Sequence, residues 1–479
     1  MMVLGMLALL IFITSFIALD LAKKIRLVRP VFMSFYLLLA LNLVLVAYWA
    51  YEIGLAHFSP GWRLSYLLVI GIGLLYLWIR LNVSPSYHVE KMSARLEIMM
   101  AGRTITYYGL WAMVLELISL ILIYRYAAFE FMSWQLFTAN ALWGWGCTLS
   151  LLVNGSLRMF FTSRRLSVLW RAAMLLSMWI PLVNLIVLAH ASRLVHEEYD
   201  FACYKENIRS IRAESDLCQT RYPLVMVHGI LFRDLKYFNY WGRIPKELIR
   251  YGATVYYGNQ EAVGTIAYNA EDIKRTIEKV MAETGCEKVN IIAHSKGGLD
   301  ARYAITKLGM GAHVASLTTM NTPHHGCTYV DKAYKLPEGI YRGIARLFDN
   351  TFRRIGDKNP DFYNATRQFS THSSREFNNQ VSDVAGVYYQ SYMTKMTNFF
   401  SDPLLCIPYA IIRSLEGEND GLVSVNSAKW GDFRELICAP GRRGISHGDI
   451  IDLKREDIKG FDVVECYIKI VTELKQRGF

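Results

Sequence analysis

Ser295 lies in a sequence setting that suits a nucleophile. It follows an apolar, largely β-branched run at 289–293, which predicts a buried strand, and precedes a stretch typical of a helix. The residues two before and two after it, Ala293 and Gly297, are small, as a cramped turn from strand to helix requires. Because Ala stands where the G-x-S-x-G pattern has its first glycine, an ordinary turn remains the alternative. The pattern predicts a nucleophile elbow that holds the serine hydroxyl clear of the sheet.

An acid and a base follow Ser295 along the chain. Asp420 lies in the turn-like run Asn-Asp-Gly-Leu-Val at 419–423, and His447 lies in Ser-His-Gly-Asp at 446–449. A serine hydroxyl is a weak nucleophile, so a histidine must accept its proton, and a carboxylate must orient the imidazole. The order Ser, Asp, His is typical of one class of hydrolase triad.

These motifs together resemble the bacterial triacylglycerol lipases of the α/β-hydrolase superfamily. The resemblance depends on four runs and covers somewhat more than half of the chain: Val-His-Gly at 227–229, Ala-His-Ser-x-Gly-Gly at 293–298, Thr-Met-Asn-Thr-Pro-His-His-Gly at 319–326, and Asn-Asp-Gly-Leu-Val at 419–423. It implies a catalytic triad of Ser295, Asp420 and His447. It also implies an oxyanion hole formed by the backbone N–H groups of Ile230 and Lys296.

The other histidines of these motifs are less suited to catalysis. His228 and His294 resemble structural positions of the lipase family, and we expect neither to be the base. His324 and His325 would suit a metal site by residue type, but the family's Thr-Pro-His-x-Gly turn favours a structural role.

Two further carboxylates resemble calcium ligands of related lipases. Asp402 and Asp449 occupy the corresponding positions, and carboxylate oxygens suit this ion. The alternative is that Asp449 only solvates its loop, since the remaining ligands cannot be identified from the sequence. We therefore expect no required cofactor, with a structural calcium as an open alternative.

Predicted strands and helices alternate from residue 221 to the end. Strands are predicted at 222–228, 253–257, 289–293, 314–319 and 384–392, and helices at 262–284 and 298–307. This alternation predicts a mostly parallel sheet, with the site at the carboxyl ends of its strands.

The sheet pattern is interrupted by an insertion at 329–381. Within it, Ile340, Ile344, Leu347 and Phe348 recur at helical spacing, which predicts an amphipathic helix. Such a helix suits either a lipase lid that exposes its apolar face to lipid, or an ordinary surface helix packed on the core.

The chain is unusually apolar, and its long apolar segments lie before residue 193. Of all 479 residues, 53% are hydrophobic and 19% are charged, which is too apolar for an ordinary soluble protein. Apolar segments of bilayer-spanning length recur, which predicts an all-α transmembrane bundle of about six helices, at 2–20, 31–50, 62–81, 106–127, 136–153 and 167–190. The first segment lacks a basic start and a small-x-small cleavage site, so a retained span fits it better than a signal peptide.

The basic residues near these segments predict an orientation. They cluster after the first, third and fifth segments, at Lys23, Lys24, Arg26, Arg29, Arg80, Lys91, Arg95, Arg103, Arg158, Arg164 and Arg165. The positive-inside rule places these loops in the cytoplasm, and an even number of spans then returns the chain to the outside. The net charge of +11 is thereby explained by membrane topology rather than by nucleic-acid binding. If 136–153 did not cross, the hydrolase would instead be cytoplasmic.

The predicted organisation is therefore a multi-domain membrane protein. A transmembrane helical domain at 1–192 is joined by a polar linker at 193–220 to an α/β-hydrolase at 221–479.

Seven of the eight cysteines lie beyond residue 200, and their odd number and irregular spacing allow no disulfide assignment.

The predicted function is hydrolysis of carboxylic esters of lipids through an acyl-enzyme, with a membrane lipid or acylglycerol as substrate. Two alternatives remain open at this point. One is acyl transfer to an alcohol other than water, and the other is a non-catalytic protein that binds or transports lipid. Substrate head group, acyl chain length and any protein partner are not specified by the sequence.

Overall fold

The computed structural model describes residues 2–22, 28–85, 93–126, 132–212, 215–232, 239–333 and 337–479. The chain divides into two compact units, one ending at Asn207 and the other beginning at Ile208. Four basic residues used to predict the orientation, Lys23, Lys24, Arg26 and Lys91, lie outside the described residues.

All the named secondary-structure elements in the described part of the first unit are helices. Its helices are α1 (Met2–Leu21), α2 (Pro30–Leu41), α3 (Leu43–Trp49), α4 (Pro60–Val83), α5 (Ala94–Tyr126), α6 (Trp134–Thr162), α7 (Val168–Ser177) and α8 (Pro181–Ile211), the last of which continues into the second unit. Helix α8 therefore covers most of the predicted linker at 193–220.

Four described helices are long and apolar enough to cross a membrane, namely α1, α4, α5 and α6. A fifth crossing is possible if the pair Pro30–Leu41 and Leu43–Gly54, bent by 73°, forms one span. The predicted segment at 167–190 is not one straight helix. It is divided between α7 and α8, because α8 begins at Pro181, whose missing backbone N–H suits a helix start and not a helix interior.

Small residues let α5 and α6 approach closely. A Cβ atom placed on Gly155 would lie 2.6 Å from the backbone nitrogen of Thr106 and 2.7 Å from the carbonyl oxygen of Gly102. A polar contact joins α6 to the junction between α2 and α3, since Asn140 Nδ2 donates a 2.9 Å hydrogen bond to Asn42 Oδ1. Glycine-mediated approach and side-chain amide bonds are the usual means of joining helices within a bilayer.

The second unit alternates strands and helices. Its elements are β1 (Leu224–Val227), α9 (Ile244–Arg250), β2 (Val255–Tyr257), α10 (Ile266–Thr284), β3 (Val289–His294), α11 (Lys296–Lys307), β4 (Val314–Met320), α12 (Thr328–Ala333), α13 (Glu338–Ile355), α14 (Phe362–Arg367), α15 (Thr371–Gln380), β5 (Tyr388–Thr394), α16 (Cys406–Leu415), β6 (Asp432–Ile437) and α17 (Val463–Gln476). The strand order is β2-β1-β3-β4-β5-β6, and each neighbouring pair is parallel. The predicted mostly parallel sheet is confirmed.

The central strands are buried on both faces. Met226 and Ile292, paired across β1 and β3, belong to one core cluster, whereas Val225 and Ile291 belong to another. Alternate residues of a strand point to opposite faces, so helices must cover both sides of this sheet. Helices α9 and α17 supply residues to the first cluster, and α10 and α11 supply residues to the second.

In the second unit, two predicted element starts were wrong by four residues, each for a local reason. Helix α10 begins at Ile266 rather than at residue 262, because Thr265 is its N-cap and accepts a hydrogen bond from the backbone N–H of Tyr268. Strand β5 begins at Tyr388 rather than at residue 384, because Gly386 has a φ of 87° and turns the chain first. All eight cysteines are free.

Candidate active site

Ser295 occupies the turn between β3 and α11. Its φ of 54° and ψ of −131° are unusual for a residue with a side chain. The turn is held from both sides, since the backbone N–H of Ser295 donates to Met320 O and its carbonyl accepts from Thr322 Oγ1. The strained conformation predicted for a nucleophile elbow is therefore present at this serine.

The turn also requires a glycine on the helical side. A Cβ atom on Gly297 would lie 2.4 Å from the carbonyl oxygen of His228 and 2.8 Å from that of Val227. These distances are too short for any side chain, so the helix can cross β1 closely only with glycine here. Ala293, on the strand side, is fully buried and is accommodated with its methyl group.

Asp420 and His447 are brought together as an acid–base pair. His447 Nδ1 lies 2.6 Å from Asp420 Oδ2, and the backbone N–H of His447 donates to Asp420 O. The second carboxylate oxygen accepts hydrogen bonds from the backbone N–H groups of Leu422 and Val423. The buried carboxylate is thus supplied with donors at both oxygens, which fixes its position and the orientation of the imidazole.

Asn321 is a member of this group that the sequence analysis did not single out. It follows β4 with a φ of 51°, and its Nδ2 atom donates to Asp420 Oδ2 at 2.6 Å. Its Oδ1 atom accepts from the backbone N–H of Thr394. The available signal was its position directly after a buried strand, within the run Thr-Met-Asn-Thr-Pro.

The imidazole of His447 packs on the last residue of β3, His294. Its ring centroid lies 4.4 Å from that of His294, the residue directly before the serine. His294 is completely buried and its Nδ1 atom is hydrogen-bonded to Tyr240 Oη at 2.6 Å. Burial lowers the pKa of His294 well below its ordinary value, which favours the neutral form of this imidazole. Tyr240 was not identified from the sequence.

The candidate oxyanion amides flank Ser295. Lys296 is the first residue of α11, where backbone N–H groups have no acceptor within the helix. Ile230 follows Gly229, and a Cβ atom on Gly229 would lie 2.9 Å from Ser295 Cβ. The loop that carries Ile230 is therefore packed directly on the serine. Both candidate donor residues therefore lie beside the serine, as an oxyanion hole requires.

The chain resembles known proteins over the same region. The family model described as palmitoyl protein thioesterase matches residues 223–403. Triacylglycerol lipase 2 of Saccharomyces cerevisiae is 30% identical over 278 residues, which cover 51% of this chain and 78% of the yeast protein. A triacylglycerol lipase of Vibrio cholerae is 30% identical over 289 residues, which cover 54% of this chain and 89% of that lipase. The chain belongs to the lipase-like α/β-hydrolases.

Among solved structures, the mature lipase BlEst2 of Bacillus licheniformis is similar, with a TM-score of 0.40 and 20% identity. The similarity covers 52% of this chain and 91% of that lipase. The residues matched by the family model, 223–403, lie within the second unit, which we call the lipase-like unit.

The remaining motif histidines of the lipase-like unit have structural partners. His228 has Gly229 O and Gln260 O within hydrogen-bond distance of its two ring nitrogens. His324 contacts Thr319 Oγ1 and Arg302 Nη1, and its ring stacks on Trp430. His325 Nε2 lies 3.1 Å from Lys429 O. In the part of the chain that the structure describes, no group of three His, Cys, Asp or Glu side chains is arranged to hold a metal.

Asp402 and Asp449 converge on Ser446, directly before His447. Asp402 Oδ2 accepts from Ser446 Oγ at 2.7 Å, and Asp449 Oδ2 accepts from the Ser446 backbone N–H at 2.9 Å.

Each of these carboxylates is also paired with a cationic side chain. Lys454 Nζ contacts Asp402 Oδ2, and Arg443 Nη2 donates to Asp449 Oδ1 at 3.1 Å. A calcium ion needs six to eight oxygen ligands and is repelled by neighbouring ammonium and guanidinium groups. The side chains present therefore do not fit calcium.

The predicted insertion contains α12, α13, α14 and α15. Helix α13 has one buried residue, Ala345, whereas Ile340, Ile344 and Leu347 are exposed. Phe348 stacks on Phe362 of α14, with their ring centroids 4.4 Å apart. The predicted amphipathic helix is present, and most of its apolar face is not packed within the described residues.

Proposed function

We propose that the lipase-like unit is a serine hydrolase that cleaves carboxylic esters of lipids through an acyl-enzyme on Ser295. The proposal is carried by the strained turn at Ser295 together with the hydrogen-bonded pair of Asp420 and His447, whose imidazole packs on His294, the residue before the serine. Lipid-ester hydrolysis is the activity named for the yeast and Vibrio relatives. The residue assignment is our proposal for this chain.

The geometry supports a two-step reaction. His447 Nε2 accepts the hydroxyl proton of Ser295, because Nδ1 is engaged by Asp420. Oγ of the serine attacks the ester carbonyl, and the oxyanion accepts hydrogen bonds from the backbone N–H groups of Ile230 and Lys296. Collapse expels the alcohol, which takes the proton from His447. Water, deprotonated by His447, then attacks the acyl-serine in the same way, and the fatty acid is released.

Replacement of the nucleophile tests this proposal. In Ser295→Ala, we expect loss of labelling by a fluorophosphonate probe and loss of ester hydrolysis, with normal expression and membrane insertion. Ser414→Ala is a matched control, because this serine lies exposed on α16 and donates only to Ile411 O. Full labelling of the Ser295→Ala protein would exclude Ser295 as the nucleophile.

Acyl transfer is the second candidate function. The acyl-serine is the same intermediate in both reactions, so only the acceptor differs. Product analysis in the presence of an added primary alcohol distinguishes the two reactions. Free fatty acid as the main product supports hydrolysis, and a new ester supports acyl transfer. A protein that only binds lipid would react with no fluorophosphonate at all.

We also propose that the insertion at 329–381 acts as a lid. Its helix α13 presents exposed aliphatic side chains. Transfer of such a surface from water to a lipid phase is favourable by roughly 25 cal/mol per Å². No cofactor is required by this mechanism, and we propose that none is used.

The proposed location is the cell membrane. The apolar helices α1, α4, α5 and α6 and the bent pair support a multi-pass protein. We propose six crossings, counting α7 with the first part of α8 as one, and an extracytoplasmic lipase-like unit. A reporter fused after Phe479 tests the sidedness, and activity of a reporter that works only in the cytoplasm would contradict it.

A further inference from the structure

A buried ion pair begins at the residue after the nucleophile. Lys296 Nζ lies 2.6 Å from Asp300 Oδ1, and both side chains are 1% exposed. Burial lowers the pKa of Lys296 and raises that of Asp300, because each charged form has lost its hydration. Replacing a buried ion pair by apolar residues is often neutral or stabilising. Stability of the fold is therefore a weak explanation for this pair.

The pair is the first part of a longer chain of hydrogen bonds. Asp300 Oδ2 accepts from Asn269 Nδ2 at 3.2 Å, which links α11 to α10. The same Nδ2 group donates to Glu261 O at 2.9 Å. The chain therefore runs from Lys296 to the loop at 258–264.

That loop holds the other candidate oxyanion residue from both sides. The backbone N–H of Leu231 donates to Ala262 O at 2.8 Å, and Gln260 Nε2 donates to His228 O at 2.8 Å. Ile230 lies between His228 and Leu231 in the sequence. The position of its backbone N–H is thus tied to the same loop that Asn269 contacts.

We propose that Lys296, Asp300 and Asn269 are positioning residues that set the separation of the two oxyanion amides. This inference rests on the proposed function. A backbone amide stabilises an oxyanion only at about 2.7–3.1 Å, and a displacement of about 1 Å can lower the rate about 100-fold. The Lys296 side chain anchors the residue that carries one donor, and the chain of bonds ends on the loop that anchors the other.

The test compares single and double variants of the full-length protein. In Lys296→Met, an uncompensated buried carboxylate remains, so we expect reduced thermal stability together with a kcat about 10- to 100-fold lower. In Lys296→Met/Asp300→Leu, no buried charge remains, so we expect stability to recover while kcat stays low. Asn269→Leu removes the link without removing the ion pair and should lower kcat with the pair intact.

The decisive readout is affinity for a tetrahedral analogue, a trifluoromethyl ketone with the acyl chain of the ester substrate. We expect its inhibition constant to rise by the same factor by which kcat/KM falls, while KM for a monomeric ester stays within about twofold. A purely structural role would lower the apparent kcat by reducing the folded fraction. It would leave the inhibition constant of the folded protein unchanged.

Lys307→Met is the matched control, since Lys307 lies exposed at the far end of α11. It should change neither kcat nor inhibitor affinity. Recovery of both kcat and inhibitor affinity in the double variant would overturn the positioning role. That result is distinct from failure of the proposed function, which would appear as activity in Ser295→Ala.

Discussion

The carboxyl end of the sheet, where Ser295 lies, and the insertion that contains α13 are built in opposite ways. At the carboxyl end of the sheet, Asp420 is buried, and its carboxylate alone has four hydrogen-bond partners among side chains and backbone. In α13, one of 18 residues is buried and the large aliphatic side chains of Ile340, Ile344 and Leu347 are exposed. The first region is held by many contacts, and the second by few.

This difference separates two requirements of a lipid hydrolase. The chemical step needs donors and acceptors that do not move, because misplacement of reacting groups by about 1 Å can be costly. Access of a water-insoluble substrate needs an element with similar free energy in two positions. A helix with few buried contacts and an exposed apolar face meets the second requirement.

The largest expected effect tests the fixed region. Asp420→Asn should lower kcat on a water-soluble ester about 10⁴-fold, because the amide favours the wrong tautomer of His447 while preserving the shape of the site. Asp432→Asn, an exposed carboxylate on β6, is the control and should have a normal rate. A kcat for Asp420→Asn within tenfold of the wild-type value would show that the acid has been misassigned.

A smaller and selective effect is expected in the insertion. Leu347→Asp places a charge on the apolar face of α13, so hydrolysis of long-chain lipid in vesicles should fall about tenfold, since apolar burial in lipid is lost. Hydrolysis of a short, monomeric ester should change by less than about twofold. Arg346→Gln alters the net charge equally on the polar face and serves as the control. Equal losses on both substrates would mean that α13 supports the site and is not a lid.

The smallest effect concerns the loop before His447. If the ion pairs of Asp402 and Asp449 replace a calcium ion, chelator and added calcium should both leave the unfolding temperature of the full chain unchanged. Lys454→Met should destabilise the protein by about 1–3 kcal/mol, because it leaves the buried Asp402 carboxylate without its cationic partner. Lys246→Met, at an exposed lysine, should not. A rise in the unfolding temperature of the wild-type protein on addition of calcium would show that the loop before His447 binds a metal.

Local patterns in the chain were sufficient to predict much of this protein. A buried β-branched run, small residues around a serine, and the order of acid and base specify β3, the turn at Ser295 and the Asp420–His447 pair. The first two signals arise within a few residues, where sterics and hydrophobic periodicity act directly. The Asp420–His447 pair was instead predicted from the order of the motifs and their resemblance to lipases. Long apolar runs likewise predict α1, α4, α5 and α6, although 167–190 proved to be two helices.

Other features depend on residues that are far apart in the chain. Asn321 reaches Asp420 across 99 positions, and Asp402 reaches Ser446 across 44. The path from Lys296 through Asp300 to Asn269 exists only because α11 packs on α10. Sequence spacing contains no information on such contacts, because the topology of the sheet decides which loops meet at its edge. That is why the candidate triad could be named from sequence motifs, whereas the residues proposed to hold it in place emerged only from the folded structure.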